Sequence, residues 1–217
     1  ATPQSRAGQV LAFLPYLLIL TAFLGGAYLI IDVTAGERER QSLEPLLATP
    51  ASRASIMTGK ILAACAFGLL GLVLNLIAFK VCFQFSSGLG VKVELLASTI
   101  LLLLAVLIPI LLIGACLLTL ISASVKSVKE AQSYMSILMM LPLLPTIILM
   151  VNPVKNQLWM FAVPFLSQNQ IILKLVRGED ISGAEWGVYF LASLGLAAIL
   201  WALAARLYHK EKLAISA

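Results

Sequence analysis

Long apolar runs alternate with short polar strips along this chain, and the run lengths decide its class before any motif is considered. A helix needs about 20 apolar residues to cross the hydrocarbon of a bilayer, and its backbone groups must be satisfied within the helix. Five runs reach that length: about 10–33, 61–85, 95–123, 133–151 and 186–207. Asp32 closes the first, and Lys80 lies near enough to the end of the second to snorkel to the interface. Pro109 in the third predicts a kink or a packed interior position, and Pro142 with Pro145 argues against a straight fourth helix. The stretch 153–177 is apolar but interrupted by Pro164, Asn169 and Lys174. It predicts a re-entrant or interfacial helical pair, with Trp159 at headgroup depth. The expected fold is all-α: one polytopic helical membrane domain over 1–217, with five spans, a polar connector over 34–53 and the broken helical segment.

Composition agrees. With 61% hydrophobic and 12% charged residues in 217, the chain carries more apolar surface than a soluble domain of that length could bury. The basic residues are unevenly divided. Arg38, Arg40, Arg53, Lys60, Lys126, Lys129, Arg206, Lys210 and Lys212 fall on one side of the expected topology, and Arg6, Lys80, Lys92, Lys155, Lys174 and Arg177 on the other. By the positive-inside rule the N-terminus of this segment lies outside and the C-terminus is cytoplasmic, in a multi-pass protein of the cell inner (plasma) membrane. The net charge of +5 is accounted for by that asymmetry, and no Arg-rich or aromatic-interleaved patch points to nucleic acid. The chain begins Ala-Thr-Pro, and its first apolar run is too long for a cleaved signal peptide. A start outside the membrane with no targeting segment of its own points to an upstream portion.

Little catalytic chemistry is available. His209 is the single histidine, so a histidine-based hydrolase or a multi-histidine metal site is excluded. Thr58-Gly59-Lys60-Ile61 lacks the Ser or Thr after the lysine and the preceding glycine of a phosphate-binding loop. Cys65, Cys82 and Cys116 lie in apolar runs without metal-ligand spacing and read as core residues. Glu179, Asp180 and Glu185, beside Gly178 and Gly183, read as a solvated turn rather than a cation site. Asn75, Thr119, Ser122, Thr146 and Ser193 read as interhelical hydrogen-bonding groups, and the pairs Gly59/Ala63 and Ala64/Gly68 as close-packing faces. No catalytic residue, metal or cofactor is expected. With no ionised group at a span centre, a buried carboxylate relay or a voltage sensor is not expected either.

The most informative strip follows the first run. Between Ile31 and Pro50, Glu37, Arg38, Glu39, Arg40 and Glu44 stand beside Leu43, Leu46 and Leu47 at i, i+3 and i+4. As a short helix this strip shows one apolar edge and leaves its charges wet, with Arg40 and Glu44 one turn apart. A solvated loop and a docking element both fit that pattern. Gly36-Glu-Arg-Glu-Arg-Gln-Ser-Leu-Glu-Pro-Leu-Leu-Ala-Thr-Pro-Ala-Ser-Arg53, followed by Gly59-Lys60, resembles the first cytoplasmic connector of type-2 ABC exporter permeases. Within that family it is most similar to the Nat-type sodium-extruding permeases. The resemblance extends to the five spans, the broken segment before the last, and Ala204-Ala-Arg-Leu-Tyr208. Members commonly have six spans with a large extracellular domain after the first, so the chain resembles their C-terminal five-span part.

The resemblance implies a permease subunit of an ATP-driven exporter that is not itself an enzyme. ATP would be hydrolysed by a separate ABC ATPase subunit, and a second permease half, as a homo- or heterodimer, would complete the route through the lipid. It makes Glu37, Arg38, Glu39, Arg40, Leu43, Glu44, Leu46 and Leu47 the coupling contact with the ATPase. Lys126, Lys129 and Glu130 form a second, smaller one. Sodium is the leading cargo on resemblance, with drugs, lipids or peptides as alternatives. A channel or carrier that works without ATP and a non-transporting scaffold are the competing classes.

Overall fold

The computed structural model describes residues 3–42, 45, 49–85, 97–151 and 157–209. Every regular element among them is helical. Five segments are long and apolar enough to cross a membrane: Phe13–Glu39, Arg53–Cys82, Ser98–Ser124, Val128–Leu149 and Gly183–Tyr208, the first to fifth spans. The third is the centre of the bundle. It packs against the first, second and fifth and buries Leu103, Val106, Leu107 and Ile110. Pro109 is buried inside an unbroken helix, Ala97–Ser124, so packing around it holds the helix together.

The first span is not the single rod its apolar run suggests. Helix Pro3–Leu24 stops at Gly25-Gly26, resumes over Ala27–Ile31, and widens into a π-helical turn, Asp32–Gly36, before a last turn, Glu37–Glu39. Close approach explains the glycines. A Cβ on Gly26 would lie 2.4 Å from the Ala64 carbonyl oxygen, one on Gly25 3.0 Å from Gly68 Cα, and one on Gly114 2.1 Å from the Phe23 carbonyl oxygen. Spans one, two and three therefore meet backbone to backbone at one level. Ala64/Gly68 is a true small-residue face, whereas Gly59 looks onto open space. Asn75 Nδ2 donates to Thr21 Oγ1 at 2.8 Å and ties the second span to the first.

The second helix starts at Arg53, well before the apolar run, because Ser52 caps it: the Ser55 amide donates to Ser52 Oγ at 3.1 Å. Arg53 and Lys60 thus belong to a helix and not to a connector. The fourth span breaks as its prolines require, into Val128–Leu138 and Leu143–Val151. Its first helix begins at Val128, so Lys129 and Glu130 occupy a helical first turn.

Between the fourth and fifth spans, a 3-10 turn at Leu158–Ala162 leads to helix Leu166–Arg177. The chain enters that helix through Phe165, whose φ of 65° is unusual for a bulky residue. The Phe165 ring meets Phe23 edge to face at 5.0 Å. Phe23 touches the glycine crossing, so the helix starts deep in the bundle and climbs to its end at left-handed Gly178. Ser167, Gln168, Asn169 and Gln170 are all buried, and Asn169 Nδ2 donates to Thr146 Oγ1 at 2.9 Å.

Glu185 corrects the expectation of a solvated acidic turn. It lies in the first turn of the fifth span, where its carboxylate accepts from Lys174 at 2.6 Å. Lys174 Nζ also stands 5.3 Å from the centre of the Phe161 ring. Burial of both partners makes this pair costly to break on one side alone. Glu179 and Asp180 are exposed, as expected.

Candidate functional site

The charged strip and the turn between the third and fourth spans come together at one end of the bundle. Three consecutive residues each engage a different span. Glu37 pairs with Lys60 of the second span, whose ammonium also donates to the Val33 carbonyl at 2.5 Å. Arg38 reaches the third span: its guanidinium donates to the carbonyl oxygens of Val125 at 2.8 Å and Ala123 at 2.5 Å. These carbonyls lie at the C-terminal end of helix Ala97–Ser124, where the last oxygens have no partner inside the helix and the dipole favours a cation. Glu39 reaches the fourth span, its carboxylate accepting from the Val128 amide at 2.9 Å.

Val128 opens a helix that needs such donors satisfied. Ser127 is the N-cap, its hydroxyl oxygen accepting from the Glu130 amide at 3.2 Å, and the Glu130 carboxylate accepts from the Lys126 amide at 3.0 Å. Ser127 thus makes the first bond of a capping box, while the Glu130 carboxylate turns one residue back to the Lys126 amide and Glu39 of another span covers the Val128 amide. The fifth span joins through Arg53, which donates to the Tyr208 carbonyl at 3.4 Å, and through Trp201 Nε1, which donates to Thr58 Oγ1 at 3.0 Å.

Arg40 behaves differently. Its side chain lies in solvent against Gly36 and makes a 3.0 Å ion pair with Asp32. The hydrogen bond from that carboxylate, followed by its charge, raises the Arg40 guanidinium above its ordinary range. The helix then stops in a Schellman turn. Gln41, at φ 56°, takes the left-handed position, the Ser42 amide donates to the Glu37 carbonyl at 2.9 Å, and the Gln41 amide to the Arg38 carbonyl at 3.1 Å.

The expectation that all the strip's charges stay wet is therefore met at Glu39 and Arg40 and not at Glu37 and Arg38, which are half-buried against their own chain. Arg40 finds Asp32 eight residues back, across the π turn and the last α turn. Leu43, Glu44, Leu46 and Leu47 lie outside the described residues; Pro45 between them is exposed. Lys126, Lys129 and Glu130 are exposed beside the strip, so the two candidate contacts share one face. Lys60 and the Ala123 and Val125 carbonyls were not legible as partners, because each is joined across spans, and Asp32 was not because its pairing with Arg40 depends on the π turn between them. Ser127 and Glu130 carry the S-x-x-E signal of a helix start, which the reading of this stretch as a connector missed.

Beneath this joint the Thr34 hydroxyl is buried beside the Tyr208 phenol, and the Ser122 hydroxyl oxygen is buried with no hydrogen-bond partner among the described residues. No cluster of His, Cys, Asp or Glu suited to a metal occurs among the described residues. The site's chemistry is that of a mechanical contact, built of ion pairs, helix caps and exposed charge.

The sequence profile described as ABC-2 family transporter protein matches residues 5–213. The chain is 37% identical over 180 residues to the ABC transporter permease protein NatB of Bacillus subtilis (strain 168), an alignment covering 77% of this chain and 45% of that protein. It thus spans less than half the length of the curated relative it matches. No solved structure matches it.

Proposed function

Because the chain belongs to the ABC-2 family transporter proteins, we propose that it is the membrane-spanning part of a permease that exports cargo with ATP hydrolysed by a separate ABC ATPase subunit. The ATPase docks at the charged end through the strip Glu37, Arg38, Glu39, Arg40, Leu43, Glu44, Leu46 and Leu47, with Lys126, Lys129 and Glu130 as the smaller contact. Two permease halves enclose the route between them. The observation that carries this reading is the convergence of both charged connectors on one face, tied to all of the first four spans. A soluble motor can move lipid-embedded helices only through a stiff contact of that kind.

The charged end faces the cytoplasm of a cell whose inner membrane holds the protein. What supports this is charge: Arg38, Arg40, Arg53, Lys60, Lys126, Lys129 and Arg206 collect there, against Lys80, Lys174 and Arg177 at the opposite end. Sodium is the cargo favoured by the resemblance to Nat-type permeases.

The test is purification of the full-length protein from its native membrane in mild detergent, followed by ATP-driven uptake into inverted vesicles. A stoichiometric ATPase on the charged face and ATP-dependent sodium uptake are the expected results. Uptake of amphiphiles instead of sodium would replace the cargo. Flux without ATP or without any ATPase would make the chain a channel or carrier, and no flux at all a scaffold.

A further inference from the structure

The coupling strip divides into two parts with different surroundings. Arg40, Lys126, Lys129 and Glu130 are exposed, and the bonds Arg40 and Glu130 make, to Asp32 and to the Lys126 amide, stay within their own connector. Glu37 and Lys60 keep only 21% and 10% of their side chains accessible, and they are paired with each other. Both arms of the Arg38 guanidinium are held by carbonyls of its own chain, and the Glu39 carboxylate closes the cap of the fourth span. A partner subunit would have to break these internal bonds before using the same atoms.

We propose that Glu37, Arg38 and Glu39 are positioning residues. They form a staple that passes displacement of the docked connector to the second, third and fourth spans, while the exposed charges beside them hold the ATPase. This rests on the reading that an ATPase docks at this end, and it narrows the docking contact from the whole strip to its exposed charges. The staple's shape fits the task. The planar fork of arginine engages two carbonyls at a helix end, which a lysine ammonium cannot do with the same rigidity. Glu39 holds the first helical turn of the fourth span, which is broken into two helices, so force applied there meets a hinged element. Slack is present as well. The π turn just before the staple, and the buried Ser122 hydroxyl that finds no partner among the described residues, are local irregularities of the kind a moving joint needs.

The experiment uses the full-length permease co-expressed with its ATPase, comparing Arg38→Lys, Glu39→Ala and the pair Arg40→Glu/Lys129→Glu. Three quantities are read: ATPase retained on the purified permease, its hydrolysis rate relative to free ATPase, and hydrogen exchange at the Val128 amide. Arg38→Lys and Glu39→Ala are expected to retain the ATPase and lose its stimulation several-fold, and Glu39→Ala, which removes the acceptor, to speed Val128 exchange. Arg40→Glu/Lys129→Glu is expected to release the ATPase. The staple is overturned if Arg38→Lys and Glu39→Ala release the ATPase as the exposed pair does, or if they retain it with stimulation unchanged. If the unaltered permease binds no ATPase, the functional reading fails instead. Exchange at Val128 then decides the staple alone, an unchanged rate in Glu39→Ala overturning it.

Discussion

Single side chains mattered here mostly by how little space they leave. Gly114 and Gly59 are the same residue in neighbouring spans, yet a methyl on the first would strike the Phe23 carbonyl and one on the second would meet nothing within 4 Å. Gly114→Ala should therefore cost about 1–3 kcal/mol by overpacking, whereas Gly59→Ala, inside a helix and facing open space, should gain about 0.5–1 kcal/mol; thermal unfolding in detergent compares the two. Asn75→Leu removes the bond to Thr21 and is expected to cost about 0.6 kcal/mol, up to about 1.7, by the same measurement. The sequence marks Asn75 as a residue that joins helices, and the structure supplies its partner. It also marks Ala64/Gly68 and Gly59/Ala63 alike. Only contact with Gly25 and Gly26 separates them, because spacing along one helix carries no information about which face another helix covers.

At the scale of elements, capping explains where helices begin and end more closely than hydropathy does. Ser52 draws the second helix out to Arg53, Ser127 sets the start of the fourth, and Gly178 ends the short buried helix in a left-handed turn. Gln41 ends the first span in the same backbone conformation without a glycine's freedom to adopt it. Gln41→Gly should stabilise that end by up to about 1 kcal/mol, seen as slower hydrogen exchange at the Ser42 amide. The five apolar runs and the break at Pro142 were readable because length and proline act locally. The break at Gly25-Gly26, the π turn and the inward turn of Glu37 and Arg38 were not. Each is imposed by neighbouring spans, and residues such as Lys60 that make the contact lie far along the chain.

For the whole molecule, topology is the claim most open to direct test. Single cysteines at Ser127 and at Gly178 stand at opposite ends of the bundle; in sealed cells a membrane-impermeant thiol reagent should label the second and spare the first. Labelling at Ser127 in intact cells would invert the proposed orientation. The crossing of Gly25, Gly26, Ala64, Gly68 and Gly114 has a further bearing on how such a bundle could change shape. Helices whose backbones already touch have no side-chain layer to slide over, so the first three rods travel as a single block. On the exporter reading proposed above, alternation between inward- and outward-open forms then falls to what surrounds that block: the jointed fourth rod and the short helix wedged beside it.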